Sequence, residues 1–217
     1  MDTRYHTSPQ LNPLKIELAD VRLTKVAVGD MDNNCYIISR GSDVVIVDAA
    51  ADPRRILETL AAVVSGPPTV HAIITTHEHA DHWQALSSLR AVFPDAELVA
   101  TKETAAAVGI DADTVKNGAT RSFGSIDLEF IVLRGHTKAG LAVVIDDPLP
   151  HILTGDSLFP GGVGKVPSGQ AFYLLFNDVR HRLFDRFEDA VIHPGHGDST
   201  TLGTQRPHLD EWEQRVW

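Results

Sequence analysis

The sequence has almost no cysteine: Cys35 stands alone among 217 residues. A single cysteine excludes an intrachain disulfide and excludes a zinc site built from several thiolates. No uncharged apolar run approaches the roughly 20 residues that a membrane-spanning helix needs, and the first residues lack the basic and then apolar pattern of a secretory signal. We therefore expect a protein of a reducing compartment, the cytoplasm, with no membrane partner.

Positive charge is also scarce, with 19 lysines and arginines against 29 aspartates and glutamates and a formal net charge of −10. Non-specific nucleic-acid binding depends on clustered cations, so this balance argues against a nucleic-acid partner and favours a small-molecule substrate. No repeat or linker interrupts the composition, and the length fits one domain. We expect a single domain over residues 1–217, with about 1–13 as a loosely held tail; no oligomeric state is indicated.

Short β-branched runs alternate with amphipathic segments in each half of the chain. Strands are predicted for "NCYIISR", "DVVIVDAA", "VHAIITT", "AELVA", "DLEFIVLRG", "LAVVIDD", "HILTGD" and "AVIHPGHG". The clearest helix begins after Asp52, its predicted N-cap, with Pro53 in the first turn and Ile56 and Leu60 on the apolar face. Further helices are predicted over 81–93, 101–109, about 169–187 and within 204–217. This order favours two β-rich halves packed together under outer helices.

The stretch "THEHADH", residues 76–82, concentrates titratable side chains in a loop that follows a predicted strand. Side chains two apart in an extended loop point the same way, so His77 and His79 converge while Glu78 points away. Asp81 and His82 fall where the next helix is expected to begin and present a second pair. A chance match to this pattern has a probability on the order of 10⁻³. Nitrogen and carboxylate ligands of this kind suit zinc, iron or manganese.

Three residues elsewhere in the chain also follow predicted strands directly, as the histidine cluster does. His136 in "LRGHTKAG", Asp156 in "HILTGDSLF" and His196 in "VIHPGHGDST" each follow an apolar run directly, beside glycine. Each alone is more typical of a turn than of a metal ligand. Their repeated position at strand ends, where α/β folds place their sites, favours the hypothesis that they complete the same site.

These segments together resemble the metallo-β-lactamase fold superfamily, and within it the small glyoxalase II-type hydrolases. The matching segments are "NCYIISRGSDVVIVDAA", "THEHADH", "GHT", "GDSLFPGGVGK" and "PGHG", which extend over nearly the whole chain. The resemblance implies an α/β fold in four layers, an αββα sandwich. Its two mixed β-sheets lie between outer helices, with a metal site at one edge of the sheets.

The resemblance also implies two divalent metal ions per chain, zinc first, with iron or manganese as alternatives. By that resemblance the first metal is held by His77, His79 and His136, the second by Asp81, His82 and His196, and both by Asp156. Glu78 falls in a position that the family leaves variable. Asp48 would support the ligand loop from behind, as ligating histidines require, and Lys165 in "GVGK" would meet a substrate carboxylate. Histidine at position 79, where the diiron flavoproteins of the superfamily carry glutamate, favours the hydrolase branch.

A hydrolase follows from this ligand set. Two neighbouring metals generate a bridging hydroxide near neutral pH and stabilise the oxyanion. The resemblance implies that Asp81 orients the nucleophile or moves its proton. A thiolate leaves without a strong general acid, whereas an amine or alkoxide needs one. We therefore predict a thioesterase, and the resemblance to glyoxalase II implies an S-2-hydroxyacyl thioester as its substrate.

Two features depart from glyoxalase II and leave other activities open. "RGHTKAG" replaces the usual "PGHTPG", which places Arg134 and Lys138 near the rim of the site. The sequence also ends soon after "PGHG", so we expect the thiol-binding part to differ from the C-terminal helical domain of glyoxalase II. The alternatives are a mononuclear iron persulfide dioxygenase using the first ligand set, a lactone or β-lactam hydrolase, an RNA phosphodiesterase, and a non-catalytic metal-binding protein.

The remaining histidines are predicted to be structural. His193 lies in an apolar strand and is expected at the edge of the core, close enough to His196 to support it. His151 is expected at the surface.

Overall fold

Residues 6–215 are described by a computed structural model of the chain. The strands are β1 (Leu14–Glu17), β2 (Arg22–Val28), β3 (Asn33–Arg40), β4 (Asp43–Val47), β5 (Thr69–Ile74), β6 (Glu97–Ala100), β7 (Asp113–Thr114), β8 (Ala119–Phe123), β9 (Ile126–Leu133), β10 (Gly140–Ile145), β11 (His151–Gly155), β12 (Leu158–Phe159), β13 (Gly162–Val163), β14 (Val191–Pro194) and β15 (Thr200–Thr201). The helices are α1 (Pro53–Val63), α2 (Leu86–Val92), α3 (Lys102–Val108), α4 (Gly169–Val179), α5 (Leu202–Gln205) and α6 (Leu209–Glu213).

The strands form two large mixed sheets and one small hairpin, β12–β13. In the first sheet, β1 to β7 lie side by side in chain order, antiparallel from β1 to β4 and parallel from β4 to β7. The second sheet has the order β15-β14-β11-β10-β9-β8, with β11 and β14 parallel. The parallel strands place the segments that follow β5, β6 and β7 at one edge of the first sheet.

Successive side chains of a strand face opposite sides of the sheet, and this alternation separates the apolar residues into layers. On β3, Cys35 and Ile37 pack with the apolar faces of α1 and α2, while Tyr36 and Ile38 face the second sheet. In the second sheet, residues of β9, β10 and β11 alternate between that shared core and a third cluster with α4 and Trp212. Because side chains in a strand alternate with period two, each sheet is buried on both faces. The four-layer αββα sandwich is therefore confirmed.

Helix α1 forms as its sequence predicts. The Asp52 side chain accepts a hydrogen bond from Arg55 N at 3.1 Å, and Pro53 occupies the first turn. Ile56 and Leu60 are buried against the first sheet. This helix covers the sheet face opposite the second sheet.

The prediction of one helix over residues 81–93 is wrong. Ala80–His82 forms a 3₁₀ turn, and α2 begins only at Leu86. The chain is held out of helical geometry because Trp83 Nε1 donates to Glu78 O at 3.1 Å, and Ala85 N donates to Ala49 O at 2.9 Å. The second contact ties this segment to the loop after β4.

Two other departures from the sequence prediction have local causes. The closing helix is divided into α5, a 3₁₀ turn at Arg206–His208 and α6, with Pro207 inside the turn. Strand β8 carries too few apolar residues to be predicted, since three of its five side chains are polar. No helix within residues 6–215 has the length and apolar character needed to cross a bilayer.

The N-terminal segment is held more closely than the tail that we predict for about residues 1–13. Thr7 is buried, and Leu11 O accepts a hydrogen bond from Arg55 Nη2 at 2.6 Å. His6 Nδ1 lies 2.5 Å from Asp198 Oδ1, beside the His196 loop. Residues 1–5 lie outside the described part of the chain.

Gly135 is a position where the packing of α4 depends on a missing side chain. Its φ is +132°, and a Cβ there would overlap Ala171 O and lie 2.6 Å from Leu175 Cβ. We predict that Gly135→Ala lowers the melting temperature by about 5 °C, through a loss of about 2 kcal/mol. Thermal unfolding followed by circular dichroism measures the change.

Gly169→Ala is the matched control, because no atom beyond the neighbouring residues and the backbone of α4 lies within 4 Å of a Cβ at that position. It should leave the melting temperature within about 2 °C of the parent, since surface substitutions usually change stability by less than about 0.5 kcal/mol. Equal melting temperatures for the two variants would show that the backbone at Gly135 can move aside at no cost.

Candidate metal centre

Seven histidine and aspartate side chains converge where β5, β9, β11 and β14 end. Their ligand atoms form three groups, each with its atoms within 4.8 Å of one another: His77, His79 and His136; His77, His82 and Asp156; Asp81, His82 and His196. The groups share His77 and His82, so they form one continuous centre. All seven residues predicted as ligands are brought together, and Glu78 lies outside the three groups.

The carboxylate of Asp48 connects the ligand loop to the first sheet. It accepts hydrogen bonds from Thr76 N and Thr76 Oγ1, both at 2.8 Å, and from His82 Nδ1 at 2.9 Å. Asp48 follows β4 with a φ of +56° and is buried. Because β4 and β5 are parallel neighbours, Asp48 reaches both ends of the loop that carries the predicted ligands.

Hydrogen bonds on the outer side of the rings determine which nitrogen faces the centre. The Nδ1 atoms of His82, His136 and His196 bond to Asp48 Oδ2 at 2.9 Å, Lys165 O at 2.6 Å and Met31 O at 2.8 Å. Carboxylate and carbonyl oxygens only accept hydrogen bonds, so each Nδ1 carries a hydrogen. Each Nε2 therefore faces inward, where it would bind a metal in place of its hydrogen.

His77 and His79 use opposite ring nitrogens. Thr76 Oγ1 donates its hydrogen to Asp48, so it accepts from His77 Nδ1 at 3.0 Å and leaves His77 Nε2 facing inward. His79 instead points Nδ1 inward, 3.1 Å from His77 Nε2 and 3.0 Å from His136 Nε2. Three ring nitrogens thus meet at one point, as a metal with nitrogen ligands requires.

The residues present fit a bound divalent cation. His82 Nε2 and His196 Nε2 lie 3.3 Å apart, close enough for one ion to contact both. Asp156 Oδ1 is buried and has no hydrogen-bond partner within residues 6–215. At Gly195 a Cβ would overlap Asp156 Oδ1 and lie 2.6 Å from His82 Cε1, so only glycine leaves this space open. Histidine nitrogens and carboxylate oxygens without thiolate suit zinc, iron or manganese.

The two sides of the centre differ in electrostatic character. Burial lowers the pKa of His77 to about 2, so its imidazole is neutral at physiological pH. For His82, burial lowers the pKa, but the carboxylates of Asp48 and Asp156 outweigh it and raise the pKa to about 10. Burial likewise disfavours ionisation of Asp156, yet the neighbouring imidazoles of His196 and His82, each with Nε2 3.5 Å from a carboxylate oxygen, keep the pKa of its carboxyl well below the usual range. The negative field around His82 attracts a cation.

Two asparagines that the sequence analysis did not select hold the second half of the centre. Asn33 Nδ2 donates to Asp81 Oδ2 at 2.9 Å and to Asp81 O at 3.0 Å. Asn34 Nδ2 donates to Pro194 O at 2.9 Å and to Gly197 O at 3.0 Å, on either side of His196. The signal in the sequence is the pair "NN" at the start of β3, since asparagine is otherwise depleted in strands.

Lys165 enters the site through its main chain. Its carbonyl orients His136, while its side chain is exposed. The predicted contact of its ammonium group with substrate stays a prediction.

His193 and His151 form a buried pair behind the His196 loop. His193 Nε2 lies 2.8 Å from His151 Nδ1, and His193 Nδ1 lies 2.9 Å from Ser199 Oγ. The prediction that His151 lies at the surface is wrong: it begins β11, and the parallel pairing with β14 places it beside His193.

Asp48→Asn tests the support of the ligand loop. An amide of the same shape loses the negative charge and one acceptor, so we expect zinc affinity to fall by about 10-fold to 100-fold. Competition titration against a chelator measures this affinity. Asp20→Asn is the control, because that side chain is 71% exposed and far along the first sheet; equal affinities for both variants would contradict the role of Asp48.

Comparison with known proteins places these residues in a family. The family model described as "Metallo-beta-lactamase superfamily" matches residues 28–201, a range that contains all seven side chains. Among curated proteins, a protein named hydroxyacylglutathione hydrolase from Synechococcus sp. (strain WH7803) is 30% identical over 145 residues, covering 64% of this chain and 55% of its own length. The chain therefore spans about half the length of such relatives. An uncharacterized protein from Mycobacterium leprae, ML0493, is 27% identical over 217 residues, covering 85% of this chain and 95% of its own.

Solved structures share the fold. The crystal structure of TTHA1623 in a di-iron-bound form has a TM-score of 0.67 and 26% identity, covering 84% of this chain and 96% of its own. BLEG-1 B3 metallo-beta-lactamase has a TM-score of 0.74 and 19% identity, covering 88% and 99%. ETHE1 from Myxococcus xanthus has a TM-score of 0.73 and 22% identity, covering 89% and 85%.

Proposed function

The chain belongs to the metallo-beta-lactamase superfamily, and within it we propose that it is a metal-dependent thioesterase of the glyoxalase II type. The observation that carries this proposal is the convergence of four histidine Nε2 atoms, His79 Nδ1 and two carboxylates on one centre. We also propose that this centre holds two divalent ions. His77, His79 and His136 would hold one, Asp81, His82 and His196 the other, and Asp156 would lie between them.

A divalent ion in such a site lowers the pKa of bound water and polarises a carbonyl group. The residues of the chain then position the reactants. Asp81 is held by Asn33 and lies with Oδ2 3.2 Å from His196 Nε2, at the side of the centre. There it would orient the attacking water and accept its proton. Thr76 and Asp48 keep the loop rigid during this step.

The leaving group decides which acyl compound suits this centre. The acidic and imidazole groups that converge here are assigned to metal binding, so none is left as a strong general acid. A thiolate leaves without protonation, whereas an amine needs a proton. The relatives named hydroxyacylglutathione hydrolase support the same choice, an S-2-hydroxyacyl thioester.

Iron is an alternative to zinc as the bound metal. TTHA1623, 26% identical, is described in a di-iron-bound form, so iron is a candidate beside zinc. A persulfide dioxygenase would use one iron on the first ligand set alone. Lactone and β-lactam hydrolysis remain alternatives on the same ligands, and the expectations of a cytoplasmic location and of no nucleic-acid partner stay predictions from composition.

We predict that the purified protein contains about two divalent ions per chain. It should hydrolyse S-lactoylglutathione faster than a lactone or a β-lactam. His82→Ala should lower kcat by at least about 100-fold, since it removes a ligand from the shared part of the centre. Metal analysis by mass spectrometry and thioester absorbance measure both quantities on one preparation.

His208→Ala is the control, because that imidazole is exposed and pairs with Glu211 on the surface. One iron per chain together with oxygen uptake would show that the protein is a dioxygenase and not a hydrolase. If His82→Ala leaves the turnover of every substrate unchanged, the centre is not catalytic, and the protein is a non-catalytic metal-binding protein.

A further inference from the structure

A cavity of about 380 Å³ lies between the start of α3 and the loops 114–117 and 134–139, the second of which carries His136. Its position follows from the first sheet. Strands β5, β6 and β7 are parallel, so His77, Lys102 and Lys116, which follow these strands, lie along one edge. Thr101 Oγ1 donates to Ala139 O at 2.8 Å, which ties this edge to the loop that carries His136.

Positive charge concentrates around this cavity in a chain whose net charge is −10. The cationic residues in its lining are Lys102, Lys116, Arg134, Lys138 and Arg182. Glu103 is the acidic residue in the lining, and Asp178 lies behind the arginines. Five cations thus face two carboxylates. We call this cavity the basic pocket.

Two of the cations are fixed in place before any ligand arrives. Buried Asp178 accepts from Arg134 Nε at 2.8 Å and from Arg134 Nη2 at 2.7 Å, and its Oδ1 lies 3.4 Å from Arg182 Nη2. One carboxylate shared by two guanidinium groups leaves an excess of positive charge. Rigid guanidinium groups bind carboxylate or phosphate oxygens with a small loss of side-chain entropy.

The pocket shares the 134–139 loop with the metal centre and has an apolar floor. Arg134 and Lys138 each lie two residues from His136 along the same loop. Val115 is buried and Val132 half-buried between the charged groups. A ligand with an apolar stem and anionic groups at its end fits such a surface, because the stem covers the floor while the cations meet the anions.

We propose that the basic pocket binds anionic groups on the thiol part of the substrate, so that the substrate is a thioester of a thiol bearing carboxylates or phosphates. This inference rests on the proposed thioesterase activity. It gives the chain a means of holding the thiol within the described residues. The acyl carbon would then lie at the metal centre, and the anions would lie between α3 and the His136 loop.

The test compares three lactoyl thioesters on the metal-loaded protein: those of N-acetylcysteamine, which is neutral, glutathione, which carries carboxylates, and coenzyme A, which carries phosphates. The variant is Lys102→Gln/Lys116→Gln, which removes two exposed cations remote from the ligands in sequence. We expect KM for one or both anionic thioesters to rise about tenfold, from two lost charge contacts. Kinetics with the neutral thioester should stay unchanged, which also verifies folding.

Lys15→Gln/Arg54→Gln is the matched control. It removes the same charge from β1 and α1, and Arg54 is 84% exposed. An effect restricted to the coenzyme A thioester would assign the pocket to phosphates, and one restricted to the glutathione thioester to carboxylates. The proposal would be overturned if the ratio of KM for the anionic thioesters to KM for the neutral thioester were the same in the variant as in the parent. An equal rise of KM in the control would also overturn it.

A direct titration separates failure of this inference from failure of the proposed function. If no thioester is hydrolysed, the thioesterase proposal fails, and calorimetry with adenosine 3′,5′-bisphosphate and S-methylglutathione then tests the pocket alone. Binding that weakens in Lys102→Gln/Lys116→Gln and with rising salt supports an anion site. Absence of binding to both probes would overturn the pocket as well.

Discussion

The buried carboxylate of Asp48 is the contact on which the centre depends. It accepts from the main chain and the side chain of Thr76 at one end of the ligand loop and from His82 at the other. Through Thr76 it also determines which nitrogen of His77 faces inward. A single charged group thus positions the loop and orients two imidazole rings, and its burial makes those hydrogen bonds costly to lose.

Other ligands are held by main-chain carbonyl groups and by one asparagine side chain. Carbonyl groups of Met31 and Lys165 orient His196 and His136, and Asn33 fixes Asp81 from the start of β3. Because the ligands follow strands of both sheets, the centre forms only when the two sheets are packed together. The basic pocket lies along the edge of the first sheet at which β5, β6 and β7 end. The metal centre and the basic pocket are therefore built in part from neighbouring segments of that sheet.

Sequence analysis predicts the parts of this arrangement that depend on local chemistry. The alternation of His77 and His79 and the N-cap of α1 follow from period and residue type. Helix 81–93 is wrongly predicted because contacts with Ala49 and Glu78 override the local preference for helix. The burial of His151, the role of Asn33 and the use of the Lys165 carbonyl depend on pairing between distant strands. No local pattern encodes such pairing.

The most direct test of the metal centre is anomalous X-ray diffraction from crystals grown with zinc, recorded above and below the zinc absorption edge. The account predicts two peaks a few Å apart. One should be coordinated by His77, His79 and His136, the other by Asp81, His82 and His196, with Asp156 contacting both. Zinc bound elsewhere, with the inner nitrogens of these histidines uncoordinated, would contradict the account.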